Sequence, residues 1–106
     1  MKNKNPKVIF CTVASNDYMI LLERLLASAE LYAPGNLIYS VLVNVSKDRV
    51  ENLKKIYPGF IAEHDYVKFN NLNQQKGYCS NRRARLFSKI MKLYDCPVIW
   101  IDADSI

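Results

Sequence analysis

The chain has 106 residues, half of them apolar, with 15 Lys and Arg against 10 Asp and Glu for a formal net charge of +5. That length makes one domain, residues 1–106, able to bury about two-thirds of its unfolded surface, and the sparse Gly (3) and Pro (4) exclude a low-complexity or disordered chain. No apolar stretch reaches the roughly 20 residues of a spanning helix, and the basic start from Met1 to Lys7 leads into a run too short and too β-branched for a signal peptide, so a cytoplasmic protein without a membrane span is expected.

Val8 to Ala14 is a nearly continuous apolar run of strand length, the pattern of a strand covered on both faces. Ser15, Asn16 and Asp17 offer capping oxygens for a helix over Tyr18 to Ala33, with Ile20, Leu21, Leu25, Ala29 and Tyr32 at helical spacing. Pro34-Gly35-Asn36 ends it. A second strand is predicted over Leu37 to Val45, with a polar exit at Asn44 and Ser46 that reads as a turn. A second helix follows over Lys47 to Tyr57, carrying Val50, Leu53, Ile56 and Tyr57 on one stripe, and Pro58-Gly59 stops it. Phe60 to Val67 forms a third strand made polar by Glu63, His64 and Asp65, as an edge strand would be. Lys68 to Gly77 shows no periodicity and is expected as a loop bordering a binding site. A helix over Asn81 to Tyr94, with Leu86, Ile90 and Leu93 along one face, leads to a last strand ending at Trp100-Ile101-Asp102-Ala103-Asp104.

This β-α-β-α-β-loop-α-β order predicts an α/β fold with a mostly parallel sheet and helices on both faces. Right-handed crossovers favour the spatial order 3-2-1-4, which opens a crevice at the carboxyl ends of strands one and four. Ala14 to Tyr18 would there adjoin Asp102 and Asp104. No Gly-rich cradle follows strand one, since Thr12 to Asp17 contains no glycine, which argues against a dinucleotide fingerprint or a phosphate loop. Tyr18 either stacks on a base or packs against the sheet as a first-turn residue.

Asp102 and Asp104 carry the most pointed chemistry. On an extended strand they share a face about 6 to 7 Å apart with small Ala103 between them. At an effective dielectric of about 20 their repulsion is on the order of 2 to 3 kcal/mol, which a divalent cation would turn into attraction. Magnesium characteristically takes one or two carboxylates plus phosphate oxygens. The alternative is a pair of turn-forming residues that ends a buried strand.

The other polar residues carry less. Cys11, Cys79 and Cys96 cannot all pair and lack Cys-x-x-Cys spacing, so they read as reduced thiols. His64, the one histidine, stands beside Asp65 without a nucleophile nearby in sequence and reads as an edge-strand side chain; Trp100 reads as a sheet-face core residue. Arg82, Arg83 and Arg85 cannot all face one ligand from a helix. The scatter of the basic residues, without a groove-reading or base-stacking motif, argues against nucleic acid as a partner.

The run from Tyr78 through Arg82-Arg83-Ala84-Arg85-Leu86 and Leu93-Tyr94-Asp95-Cys96-Pro97 to Asp102-Ala103-Asp104-Ser105 resembles nucleotide-sugar glycosyltransferases of the GT-A fold. In those families a helix starting near a basic residue runs through a short turn into an apolar strand ending in Asp-x-Asp. The first strand and its following helix are similar to the family's nucleotide-binding opening, so the resemblance covers nearly the whole chain. It implies a UDP- or GDP-sugar as donor and Mn2+ or Mg2+ as cofactor, held by Asp102 and Asp104. It also implies ribose or base contacts from Ala14, Ser15, Tyr18 and Asp102, and a phosphate contact from Arg85. A complete enzyme of this fold is about twice as long, and its acceptor site and catalytic groups follow the Asp-x-Asp. The chain is therefore expected to carry the donor half at most, transferring a glycosyl group only if the other half is supplied. The alternative is a non-catalytic remnant of that fold, acting as an interaction module that self-associates through an exposed sheet edge.

Overall fold

The computed structural model describes residues 8–32 and 35–101. They form β1 (Ile9–Ser15), a 3₁₀ turn (Asn16–Tyr18), α1 (Met19–Tyr32), β2 (Leu37–Val43), α2 (Lys47–Ile56), β3 (Phe60–Asp65), α3 (Leu72–Leu93) and β4 (Val98–Trp100). The four strands make one sheet in the order β3-β2-β1-β4, with every neighbouring pair parallel. The chain steps outward through β1, β2 and β3 and then crosses back over β1 to lay down β4.

Alternation along the strands sends side chains to two cores. On one face Ala14, Ile38, Leu42 and Phe60 pack with Met19, Leu22 and Leu26 of α1 and Val50 and Leu53 of α2. On the other, Ile9, Cys11, Tyr39, Val41 and Val43 pack under Leu86 and Ile90 of α3, closed off by Tyr94. Helices thus cover both faces, as the covered, β-branched character of β1 and β2 requires. Two polar residues sit inside the first face: Thr12 and Ser40 are cross-strand neighbours, both fully buried. Neither hydroxyl has a hydrogen-bond partner among the described residues.

Several expectations are corrected. The buried stripe of α1 is Met19, Leu22 and Leu26, while Ile20 and Tyr32 are 61% and 82% exposed. The apolar residues of that segment surround the helix, so periodicity alone could not select the inward face. In α2, Val50 and Leu53 are buried but Ile56 is exposed, and in α3 Leu93 is also exposed. Tyr18 belongs to the 3₁₀ turn, and Ser15, which precedes that turn, makes no side-chain cap. β2 stops at Val43 because Asn44 takes the left-handed conformation, φ 59°. Its amide side chain exchanges two hydrogen bonds with the Val67 backbone, fixing the turn the sequence foretold.

The largest departure lies in Lys68 to Gly77, which is helical from Leu72 onward. Asn71 caps the helix by accepting from the Gln74 N–H, and Gln74 Oε1 accepts in return from the Asn70 N–H. That reciprocal arrangement is a capping box displaced by one residue, strong enough to start a helix in a segment without apolar periodicity.

Candidate functional site

The strand order switches between β1 and β4, the position at whose carboxyl edge open α/β sheets bind ligands. β1 brings Ala14 and Ser15 to it, both buried. The Ser15 Oγ has no hydrogen-bond partner among the described residues, and it lies on the face shared with Cys11 and α3. The 3₁₀ turn then lifts Asn16, Asp17 and Tyr18 into solvent. Tyr18 is 40% exposed and belongs to neither core.

The described part of β4 runs beside the first half of β1 and stops short of Ser15. Its register with β1 pairs Cys11 with Trp100, and the Ile101 N–H continues the ladder by donating to the Cys11 carbonyl at 2.9 Å. Asp102 and Asp104 lie outside the described residues. Among the described residues no group of three or more His, Cys, Asp or Glu side chains is gathered to hold a metal ion.

The three arginines part company on α3, as the helical geometry demands. Arg82 turns toward β3, where its Nε donates to Asp65 Oδ2 and its NH2 to Glu63 Oε1, both at 2.7 Å. Arg83 turns the other way and places its guanidinium 4.6 Å from the centre of the Trp100 ring. Arg85 is exposed, hydrogen-bonds to the Tyr78 hydroxyl, and its positive charge is felt at Asp65. Arg83 and Arg85 are exposed as residues, while Arg82 is committed to carboxylates.

Sequence reasoning missed the polar cluster that Arg82 organises. Glu63 accepts from the Tyr39 hydroxyl, Arg82 and Lys89, and Asp65 accepts from the Tyr78 hydroxyl and Arg82. Burial pushes the Glu63 carboxyl up, but the donors from Lys89, Tyr39 and Arg82 together outweigh it and bring it down to about 2. Asp65 moves the same way, burial opposing and the Arg82 and Tyr78 donors prevailing. Tyr39 is pushed up by burial and by the bond it gives Glu63. The signal was present in the sequence: Glu63 and Asp65 share one face of a strand, and Tyr78, Arg82, Arg85 and Lys89 recur at helical spacing.

The thiols are unremarkable as nucleophiles. Burial, then the neighbouring Cys96, pushes Cys11 up to about 12, and burial also raises Cys79. His64 is half-buried on the edge strand, stacked 6.3 Å from Tyr66. No helix among the described residues is long and apolar enough to cross a membrane.

No known family, curated protein or solved structure matches the chain.

Proposed function

We propose that the chain is the donor-binding part of a glycosyltransferase of the GT-A kind, taking a nucleotide-diphosphate sugar with Mn2+ or Mg2+ at the carboxyl edge between β1 and β4. The observation that carries this reading is the β3-β2-β1-β4 order. In open α/β sheets ligands bind at the carboxyl side of such a switch point, and the end of β1 there carries Ser15, whose buried hydroxyl is unpartnered among the described residues, and the exposed Tyr18. β4 is hydrogen-bonded to β1 as far as Ile101, the residue that precedes Asp102 in the sequence.

The donor set suits the ion: two carboxylates supply hard oxygen ligands of the type Mg2+ and Mn2+ prefer. Bound there, the metal would neutralise charge on the departing nucleotide diphosphate. Within the chain, Ala14 and Ser15 offer backbone and hydroxyl contacts to the nucleoside, Tyr18 offers a stacking surface, and Arg85 offers a fork for phosphate oxygens. Glycosyl transfer itself needs an acceptor site and catalytic groups from outside these residues.

Calorimetric titration with UDP and GDP, with and without Mn2+, tests the reading. The expected result is metal-dependent binding by the wild type that disappears in the Asp102→Asn, Asp104→Asn double variant. Absence of binding to folded wild type, or equal binding by the double variant, overturns it.

A further inference from the structure

We infer that Arg83, held over the ring of Trp100, is the principal contact for the diphosphate of the donor, an assignment that rests on the donor-site reading above and adds a residue to it. The cations of α3 divide according to the strand they serve. Arg82 and Lys89 give their donors to the carboxylates of β3. Arg85 gives one to the Tyr78 hydroxyl, which itself donates to Asp65 at 2.6 Å. Arg83 goes to the opposite flank, where its guanidinium carbon stands 4.6 Å from the centre of the Trp100 ring on β4. With about 3.6 residues per turn, two positions along the helix turn Arg83 and Arg85 nearly back to back.

Distance decides which arginine serves the β4 side. Asp102 follows Trp100 by two residues, so its Cα lies within about 7 Å of the Trp100 Cα in any conformation. β3 is separated from β4 by β2 and β1, and three strand spacings of about 4.8 Å put the β3 carboxylates and their arginines on the order of 14 Å away across the sheet. Carboxylate-held Mg2+ completes its shell with phosphate oxygens, which keeps a diphosphate close to the aspartates and hence to Arg83. The cation–π contact also spares the donors that matter. It draws the guanidinium to the ring as a charge and needs no acceptor, so the N–H fork remains for two phosphate oxygens. No carboxylate among the described residues pairs with Arg83, so an arriving anion has none to displace there, as it would at Arg82. Trp100 packs against the second core, while Arg83 is exposed. Trp100 is thus a positioning residue, which orders the fork before phosphate arrives and lowers the entropy lost on binding.

Calorimetric titration of the 106-residue chain with Mn2+ and UDP or GDP, each beside its monophosphate, tests the assignment. Arg83→Gln should weaken the diphosphate ~tenfold or more, the size of a lost charge-assisted contact. It should weaken the monophosphate less, so that the preference for the second phosphate shrinks; a side chain that only supported the fold would move both ligands together. Arg85→Gln should cost less than Arg83→Gln. Trp100→Leu should reproduce part of the loss, and Trp100→Phe, which keeps a ring face, should restore most of it. Trp100 is the one tryptophan of the chain, so its emission should respond to diphosphate in the wild type and not in Arg83→Gln. Unchanged far-ultraviolet spectra show that the variants fold. A wild type that binds neither diphosphate overturns the donor reading and the assignment together. A wild type that binds overturns the assignment alone if Arg83→Gln keeps the full diphosphate preference or loses no more than Arg85→Gln, or if Trp100 emission ignores the diphosphate.

Discussion

Replacing Arg82 with Met keeps the length and apolar stem of the side chain and removes the guanidinium that bridges two carboxylates. The Arg82 side chain is 11% exposed, and Glu63 and Asp65 are 24% and 16% exposed. Removing one partner from a buried pair costs about 3 to 5 kcal/mol, because it strands a charge in a poorly solvating site. The cost here is lower, since Glu63 keeps Tyr39 and Lys89 and Asp65 keeps Tyr78, and since both carboxylates retain some water. A loss of about 2 to 3 kcal/mol is expected, a large share of the 5 to 15 kcal/mol total usual for a domain. At roughly 4 to 8 °C per kcal/mol for a domain of this size, Tm should fall by roughly 10 to 20 °C. The control is Lys89→Met: its side chain is 47% exposed, so its ion pair should contribute about 1 kcal/mol or less. Urea denaturation at neutral pH measures both. If Arg82→Met lies within about 0.5 kcal/mol of wild type, or costs no more than Lys89→Met, then the cluster does not hold α3 to β3 as the geometry indicates.

The same cluster sets an acid limit: with Glu63 depressed to about 2 from an ordinary 4.5, its contribution is complete above pH 4.5 and is lost as pH falls toward 2. Denaturation midpoints measured across that window should decline in the wild type and decline less steeply in Glu63→Gln; parallel slopes would contradict the linkage. Thr12→Val replaces a fully buried, unpartnered hydroxyl with a methyl of similar volume, and should leave the fold intact and raise stability by ~1 kcal/mol. A loss of stability in that variant, read from the same urea curves, would mean that the hydroxyl is satisfied, for example by an internal water shared with Ser40.

Much of the layout was legible because the strands differ in how they are covered. The apolar runs of β1 and β2 announced interior strands, and Glu63, His64 and Asp65 announced β3 as an edge. The strand order followed from connection rules that hold regardless of side chain. What escaped was decided by contacts between distant segments. The choice of Met19, Leu22 and Leu26 over Ile20 and Tyr32 depends on where the sheet meets α1, which local periodicity does not encode. The start of α3 depended on a reciprocal bond between Asn71 and Gln74 rather than on an apolar stripe. Glu63 and Arg82 meet only because α3 crosses back over the sheet, so their partnership appears in neither segment alone. Of the candidate site, the described residues include the β1 exit, where Ser15 is buried and Tyr18 exposed.

The order in which the strands join has a consequence for synthesis on the ribosome. By Asp65 the nascent chain already holds β1, β2, β3 and both helices of the first core, and can close that face. The opposite face, with Ile9, Cys11, Tyr39, Val41 and Val43, stays bare until α3 emerges. Only afterwards can Val98 find Ile9, a pairing whose long intervening loop slows closure. If the first core closes as soon as its elements are made, a half-clad parallel sheet precedes α3, and it is the stage at which a chaperone that grips apolar β surface would have most to hold.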